Sequence, residues 1–202
     1  MTSGPQVLPS VGVIVPNHDR LHQLVEAVES VQAQTYAGRV QIYLVYRPRP
    51  EFEPFLGSFG TSVRLVPSPD ESGRNSIAVK RNLGLAETTE DLVAFLDDDD
   101  LWHQEKLGIQ VKVFCEEDGL VAVGTRPLYF DRTPAWQPSP SFRRRICSRG
   151  RVIKGHSFGT SSILVDGPLA RRLHFDERPE WLALEDYDFK IRLSEQGQMC
   201  EV

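Results

Sequence analysis

Leu92-Val93-Ala94-Phe95-Leu96-Asp97-Asp98-Asp99-Asp100-Leu101-Trp102 sets an apolar, strand-forming run directly against four consecutive carboxylates, with no basic residue among them. Adjacent acids repel one another, so gathering them at a strand end calls for a compensating partner. A divalent cation such as Mg²⁺ or Mn²⁺ is one such partner, since both take carboxylate and phosphate oxygen. A helix N-terminus is another: Asp99 or Asp100 could cap a helix starting near Leu101. A cap employs one aspartate, so the others point to a metal site.

The stretch lies midway along a 202-residue chain, enough for one compact domain with a sizeable core. Net charge is −5, which argues against a protein that coats nucleic acid with Lys and Arg. Cys115, Cys147 and Cys200 form no CxxC pair, so a reducing compartment is expected. No long apolar run suggests a transmembrane segment, and residues 1–10 read as a tail without signal-peptide character. The expected location is cytoplasmic, with peripheral work at a membrane left open.

Upstream of the acids, Val11-Gly12-Val13-Ile14-Val15, closed by Pro16, reads as a buried strand. A helix capped by Asp19 follows to about Gln34, with Leu21, Leu24, Val25, Val28 and Val31 on one face. Val40 to Tyr46 and Val63 to Val66 are further strands, Ser76 to Ala86 a helix, and Leu92 to Leu96 the strand delivering the acids. This alternation predicts a parallel α/β sheet whose ligands bind beyond the C-terminal strand ends. Pro16 to Arg20, Tyr46 to Arg49 and Asp97 to Asp100 would then line one crevice. Downstream, a helix is expected from Trp102 to about Glu117 and a strand at Leu120 to Val123. Another strand is expected at Ser161 to Val165, and a helix from Trp181 to Glu195. Between them, Phe142 to Lys154 carries six positive charges and no acid, either a solvated loop or one that closes over an anionic substrate.

In this order the chain resembles the family 2 glycosyltransferases of GT-A fold. Val13-Ile14-Val15-Pro16-Asn17-His18-Asp19-Arg20 is similar to their opening strand and loop, and Glu29-Ser30-Val31-Gln32-Ala33-Gln34-Thr35-Tyr36 to their "ESVLAQTY" helix end. Lys80-Arg81-Asn82-Leu83-Gly84-Leu85 resembles "ARNLGI", and Ala94 to Trp102 resembles "AFLDDDDLW", the DxD motif. Phe175-Asp176-Glu177, Glu185-Asp186-Tyr187-Asp188-Phe189 and Arg192-Leu193 resemble "FDE…EDYDLxxRL".

The resemblance implies a Rossmann-like mixed sheet flanked by helices in a single domain over residues 11–202. Residues 11–102 would form the nucleotide-sugar-binding half and 103–202 a short acceptor-side half. It implies a metal-dependent, inverting transfer of a hexosyl or related sugar from a nucleotide-diphosphate donor. The acceptor would be a glycan, a lipid-linked or a small molecule. Pro16, His18 and Arg20 would lie near the nucleotide, and Lys80 and Arg81 near base or diphosphate. Asp97 and Asp98 would contact ribose or metal, and Asp99 would be the principal ligand of Mn²⁺ or Mg²⁺. Asp186, beside Glu185, would be the catalytic base, its pKa raised by neighbouring acids and burial. For Glu185-Asp186 the alternative is a solvated helix face pairing with Lys190 or Arg192.

Two departures keep a second reading open. Tyr46-Arg47-Pro48-Arg49 stands where relatives carry an acidic element; Tyr46 could stack on a base and Arg47 reach a phosphate. The sequence also stops soon after the Glu-Asp helix, so a partner subunit or a second copy could complete the site. A non-catalytic nucleotide-sugar-binding accessory subunit is therefore the alternative. A nucleotidyltransferase is disfavoured by the lack of a Gly-rich phosphate loop.

Overall fold

The computed structural model describes residues 7–18, 20–52, 54, 57, 59–69, 76–127, 144–155 and 158–202. In chain order the strands are β1 (Val11–Pro16), β2 (Val40–Tyr46), β3 (Val63–Pro67), β4 (Leu92–Phe95), β5 (Leu120–Gly124), β6 (Arg145–Cys147), β7 (Ile163–Asp166) and β8 (Gln198–Glu201). The helices are α1 (Leu21–Gln32), α2 (Ser76–Glu87), α3 (Lys106–Glu116), α4 (Arg149–Ile153), α5 (Gly167–Leu173) and α6 (Glu185–Ser194). The strands form one mixed sheet in the order β3-β2-β1-β4-β7-β5-β8-β6.

The β3-β2-β1-β4 half is parallel, as the alternation of strands and helices predicts. Its central strands are apolar on both faces because helices cover both. The period of two sorts their side chains: Val11, Val13, Val15, Leu92, Ala94 and Leu96 join α1 and α3, which contribute Leu24, Val28, Leu107 and Val111. Ile14, Val93 and Phe95 face the other way, toward Leu85 of α2, Ala170 of α5 and Phe189 and Leu193 of α6. Beyond β4 the sheet changes sense: β7 runs antiparallel to both β4 and β5, with Leu92 opposite Asp166 and Gly124 opposite Ile163. That reversal brings the turn preceding β7 alongside the acids that follow β4.

Helix boundaries depart from expectation in two places. The helix after the acids starts at Lys106, not Leu101. Trp102 is buried, its backbone N–H donating to Ser30 Oγ (3.1 Å) and its indole N–H to the Ser161 carbonyl (2.6 Å). These bonds tie Trp102 to α1 and to the turn before β7 instead of to a helical turn. Asp100 therefore caps no helix among the described residues; it lies in a tight turn, its N–H bonded to the Asp97 carbonyl at 3.1 Å. The expected helix from Trp181 is broken by Ala183, whose φ of 64° is left-handed, and α6 begins only at Glu185. Asp19, expected to cap α1, lies outside the described residues, as do residues 128–143 of the Pro- and Arg-rich stretch.

The end of β5 is packed without slack. A Cβ on Gly124 would stand 2.0 Å from the Phe158 ring, itself buried just ahead of the turn that enters β7. Gly124→Ala is expected to cost about 1–3 kcal/mol through overpacking, against the small gain an alanine ordinarily gives over glycine. Urea unfolding of the two proteins checks this.

Candidate functional site

At the end of β4 the four acids take four different environments. Asp98 turns inward, 1% exposed. It accepts hydrogen bonds from Asn17 Nδ2 (3.0 Å) and from the backbone N–H of His18, so it clamps the loop leaving β1. Burial raises its pKa, and the His18 N–H and Arg20 pull the other way. Asp99 is half-exposed and pairs with Arg20. Asp97 is partly exposed and accepts from Arg81 Nη2 at 2.8 Å. Asp100 faces solvent.

The basic residues of α2 reach the same place from the other side. Lys80 is buried and donates to the Asn17 carbonyl at 2.8 Å, pinning the β1 loop a second time. Burial, then the nearby Lys80 charge, push the His18 pKa below its ordinary value, so its ring is neutral at pH 7. Pro16 closes β1 opposite Val45 of β2. Tyr46 follows there, half-buried, with its ring 5.8 Å from Phe52, and Arg47 and Arg49 are exposed beyond it.

Arg81 is the connection between the two halves of the sequence. Only 4% exposed, it donates through Nη2 to Asp97 and through Nη1 to Glu185 Oε1 at 3.0 Å, with its guanidinium 5.2 Å from the Phe175 ring centroid. Its Nε is buried and, among the described residues, makes no hydrogen bond. Glu185 is thus an internal ion-pair partner, 5% exposed, and not part of a solvated helix face.

A second connection runs through the 3-10 turn Thr160–Ser162. Ser161 Oγ accepts from the backbone N–H of Asp97 at 3.0 Å, and Thr160 Oγ1 donates to Asp186 Oδ2 at 3.1 Å. Gln110 of α3 holds the turn from below, donating to the Ser162 carbonyl at 2.9 Å and the Val123 carbonyl at 2.7 Å. Gln110 in turn accepts from the fully buried amine of Lys106 at 2.7 Å.

Asp186 also accepts from Lys190 at 2.9 Å, one helical turn on. Burial pushes its pKa up, but the Lys190 charge and hydrogen bond, the Thr160 hydroxyl and Arg81 outweigh it, leaving the carboxyl below its usual range. The expected rise in pKa does not occur, because the nearest charges are cations rather than the neighbouring acids.

Asn17, Thr160 and Ser161 are site residues that the sequence reading did not single out, whereas Lys190 was named as a pairing partner and does pair with Asp186. Thr160-Ser161-Ser162 carried the one legible signal: small hydroxyls directly before an apolar strand, which suit a side-chain-bonded turn. In the Arg-rich segment, Arg144 pairs with Glu116 and Glu117, Arg149 with Glu195, and Arg151 lies 3.9 Å from Glu201. Those arginines fasten β6 and α4 to the body of the domain.

Asp97 and Asp99 flank the inward Asp98 with side chains 34% and 42% exposed. Among the described residues no group of three or more acidic, His or Cys side chains could hold a metal ion, so a divalent ion here would depend on these one or two carboxylates plus substrate phosphates.

A Rossmann-like sheet with acids at one strand end and a carboxylate pair, one buried and one partly exposed, facing them from a helix is an architecture of the GT-A type. The Glycosyl transferase family 2 model matches residues 12–166, and the chain belongs to that family. Among curated proteins it is 31% identical over 122 residues to an uncharacterized glycosyltransferase of Rickettsia felis, covering 59% of this chain and 20% of that protein. The S. aureus TarS fragment 1-349 in complex with UDP-GlcNAc superposes with a TM-score of 0.76 at 14% identity, over 96% of this chain and 56% of that one. The mannosyltransferase PcManGT of Pyrobaculum calidifontis, in complex with GDP-Man and Mn2+, gives 0.67 at 17% identity, over 98% and 58%. The chain thus spans a fifth of the curated relative and little more than half of these structures.

Removing Arg81 strips the buried Glu185 of its guanidinium counter-charge, so Arg81→Met is expected to cost about 3–5 kcal/mol in urea unfolding. Glu185→Gln on that background should recover part of the loss, giving a coupling energy that a double-mutant cycle reads directly.

Proposed function

We propose that this domain transfers a sugar from a nucleoside-diphosphate donor to an acceptor hydroxyl, with inversion and with help from a divalent metal. The observation that carries the reading is the joining of two acidic sites. Asp97 at the end of β4 and Glu185-Asp186 at the start of α6 are held together by Arg81 and by the Thr160–Ser162 turn. One site suits a diphosphate and the other suits a proton.

In this reading Asp97 and Asp99 hold Mn²⁺ or Mg²⁺, the exposed Arg20 can move from Asp99 to a phosphate oxygen, and Tyr46 and Arg47 lie toward the nucleoside. The bound ion would neutralise charge on the departing diphosphate. His18, neutral and held by the Asp98 clamp, can accept or donate a hydrogen bond to the nucleotide without adding charge. Arg81 holds Asp97 in place, while Asp98 fixes the loop against which the donor would lie.

Asp186 supplies the base. As the acceptor oxygen bonds to the anomeric carbon, the bond from that carbon to the diphosphate oxygen breaks and its electron pair leaves with the diphosphate. The acceptor proton passes to Asp186. A single displacement of this kind inverts the anomeric centre. A base with a lowered pKa is weak, but at neutral pH it is almost entirely ionised and available. Donors such as those bound by TarS and PcManGT, UDP-GlcNAc and GDP-Man, are the first to try.

Calorimetric titration with UDP, GDP, TDP and CDP, with and without Mn²⁺, is expected to find one nucleotide that binds more tightly with metal. Asp99→Ala should lose that metal dependence. Asp186→Asn should bind the donor normally and lose turnover, including slow donor hydrolysis, by at least about 100-fold. Tight binding with no turnover in the unmodified protein is the result expected of an accessory domain, and it would end the catalytic reading.

A further inference from the structure

Lys190 is an unusual partner for a proton acceptor. It stands four residues after Asp186 on α6 and is only 8% exposed. An exposed pair at that spacing contributes little, but here both members are largely out of water and each needs the other. Besides Asp186, the amine reaches the Phe158 carbonyl at 3.3 Å, which fixes it from the strand-entry side.

The bonds on Asp186 are one-sided. Lys190 Nζ and Thr160 Oγ1 both donate to Oδ2, at 2.9 and 3.1 Å, while Oδ1 accepts no hydrogen bond among the described residues. A carboxylate is otherwise free to swing about its broad terminal torsion. Two donors from different elements, bound to one oxygen of this partly exposed side chain, restrict that motion and leave the other oxygen without a hydrogen bond among the described residues.

We propose that Lys190 is a positioning residue which, with Thr160, pins Oδ2 of Asp186 so that Oδ1 is the oxygen that receives the acceptor proton. The proposal rests on the reading of Asp186 as the base. In the step itself the acceptor O–H bond breaks and its electron pair forms the bond to the anomeric carbon. The proton arrives on Oδ1, and the ammonium of Lys190 stays on Oδ2. Beside a neutral carboxylic acid that ammonium has lost its counter-charge, which favours release of the proton and returns the site to its starting state.

The charges around Asp186 are accounted for element by element. Arg81 faces it from α2 but is bonded to Asp97 and Glu185. On α6 itself, Glu185 belongs to Arg81 and Asp188 to Arg192. From α4, Arg149 and Arg151 turn to Glu195 and Glu201. Among the described residues Lys190 is therefore the cation in direct contact, and its removal should be felt first at Asp186.

The test combines a carbon-13 NMR titration of the Asp186 carboxyl, in protein without donor, with the pH profile of donor turnover. In Lys190→Met the carboxyl is expected to titrate at higher pH than in the unmodified protein. The acid limb of kcat should move up by the same amount, and kcat should fall about 10- to 100-fold with the donor KM unchanged. Thr160→Val, which keeps the ion pair, should lower kcat with a smaller shift of the limb. Unchanged titration and unchanged kcat in Lys190→Met would overturn the proposal. A shifted carboxyl with an unshifted turnover profile would keep the pin at Oδ2 and remove Asp186 as the base. If Lys190→Met does not fold, Thr160→Val decides: unaltered turnover in that variant would also overturn the proposal.

Discussion

The buried guanidinium of Arg81 is the contact on which the arrangement of this domain depends. Glu185 and Asp97 are 88 residues apart in sequence, and this one guanidinium supplies counter-charge to both. A planar guanidinium suits the task because its two terminal nitrogens can serve two carboxylates at once, which an ammonium serves less well. The face of Phe175 supports the plane, and Phe175 is stacked on Phe189 at 4.2 Å, so the ion pair is seated on the aromatic core of α6. Packing, charge pairing and the approach of two sequence halves are therefore one event.

The same economy separates the aspartates. Coulomb repulsion among consecutive acids is relieved by giving each its own counter-group: backbone and Asn17 for Asp98, Arg81 for Asp97, Arg20 for Asp99 and water for Asp100. Accessible Asp97 and Asp99 flank buried Asp98, as expected where a strand has just ended and successive side chains still point to opposite sides, and Asp100 is exposed beyond them. What a run of acids cannot disclose is which member is turned inward, since that is decided by the loop after β1.

Local signals in the sequence carried the parallel half-sheet, the strand that presents the acids and the face of α1, because each rests on residue spacing within a few positions. Less was legible where distant groups intervene. Asp100 had the right chemistry for a cap, but burial of Trp102 between Ser30 and Ser161 delays the helix past it. Asp186 has acidic neighbours in sequence and cationic ones in space, so its titration was read with the wrong sign. The positive run at 142–154 read equally as a solvated loop or as one closing over an anion, whereas Arg144 and Arg149 are satisfied by carboxylates at the end of α3 and just beyond α6. Pairing between residues far apart is set by the fold, and composition does not reveal it.

The turn Thr160–Ser162 also bears on how accurately the domain can hold its geometry. Adjacent residues of that turn bond the first acid and the proposed base, and the next is held by α3. The load path from Asp97 to Asp186 through this turn is then one peptide unit and its two hydroxyl side chains, with a hydrogen bond at either end. Covalent bond lengths, not the looser fit between packed helices, set that spacing. Small tilts of α1 or α2 should carry little error across it, whereas an error in the turn would reach both sites together. In the language of instruments, the turn is the common datum from which both working surfaces are measured.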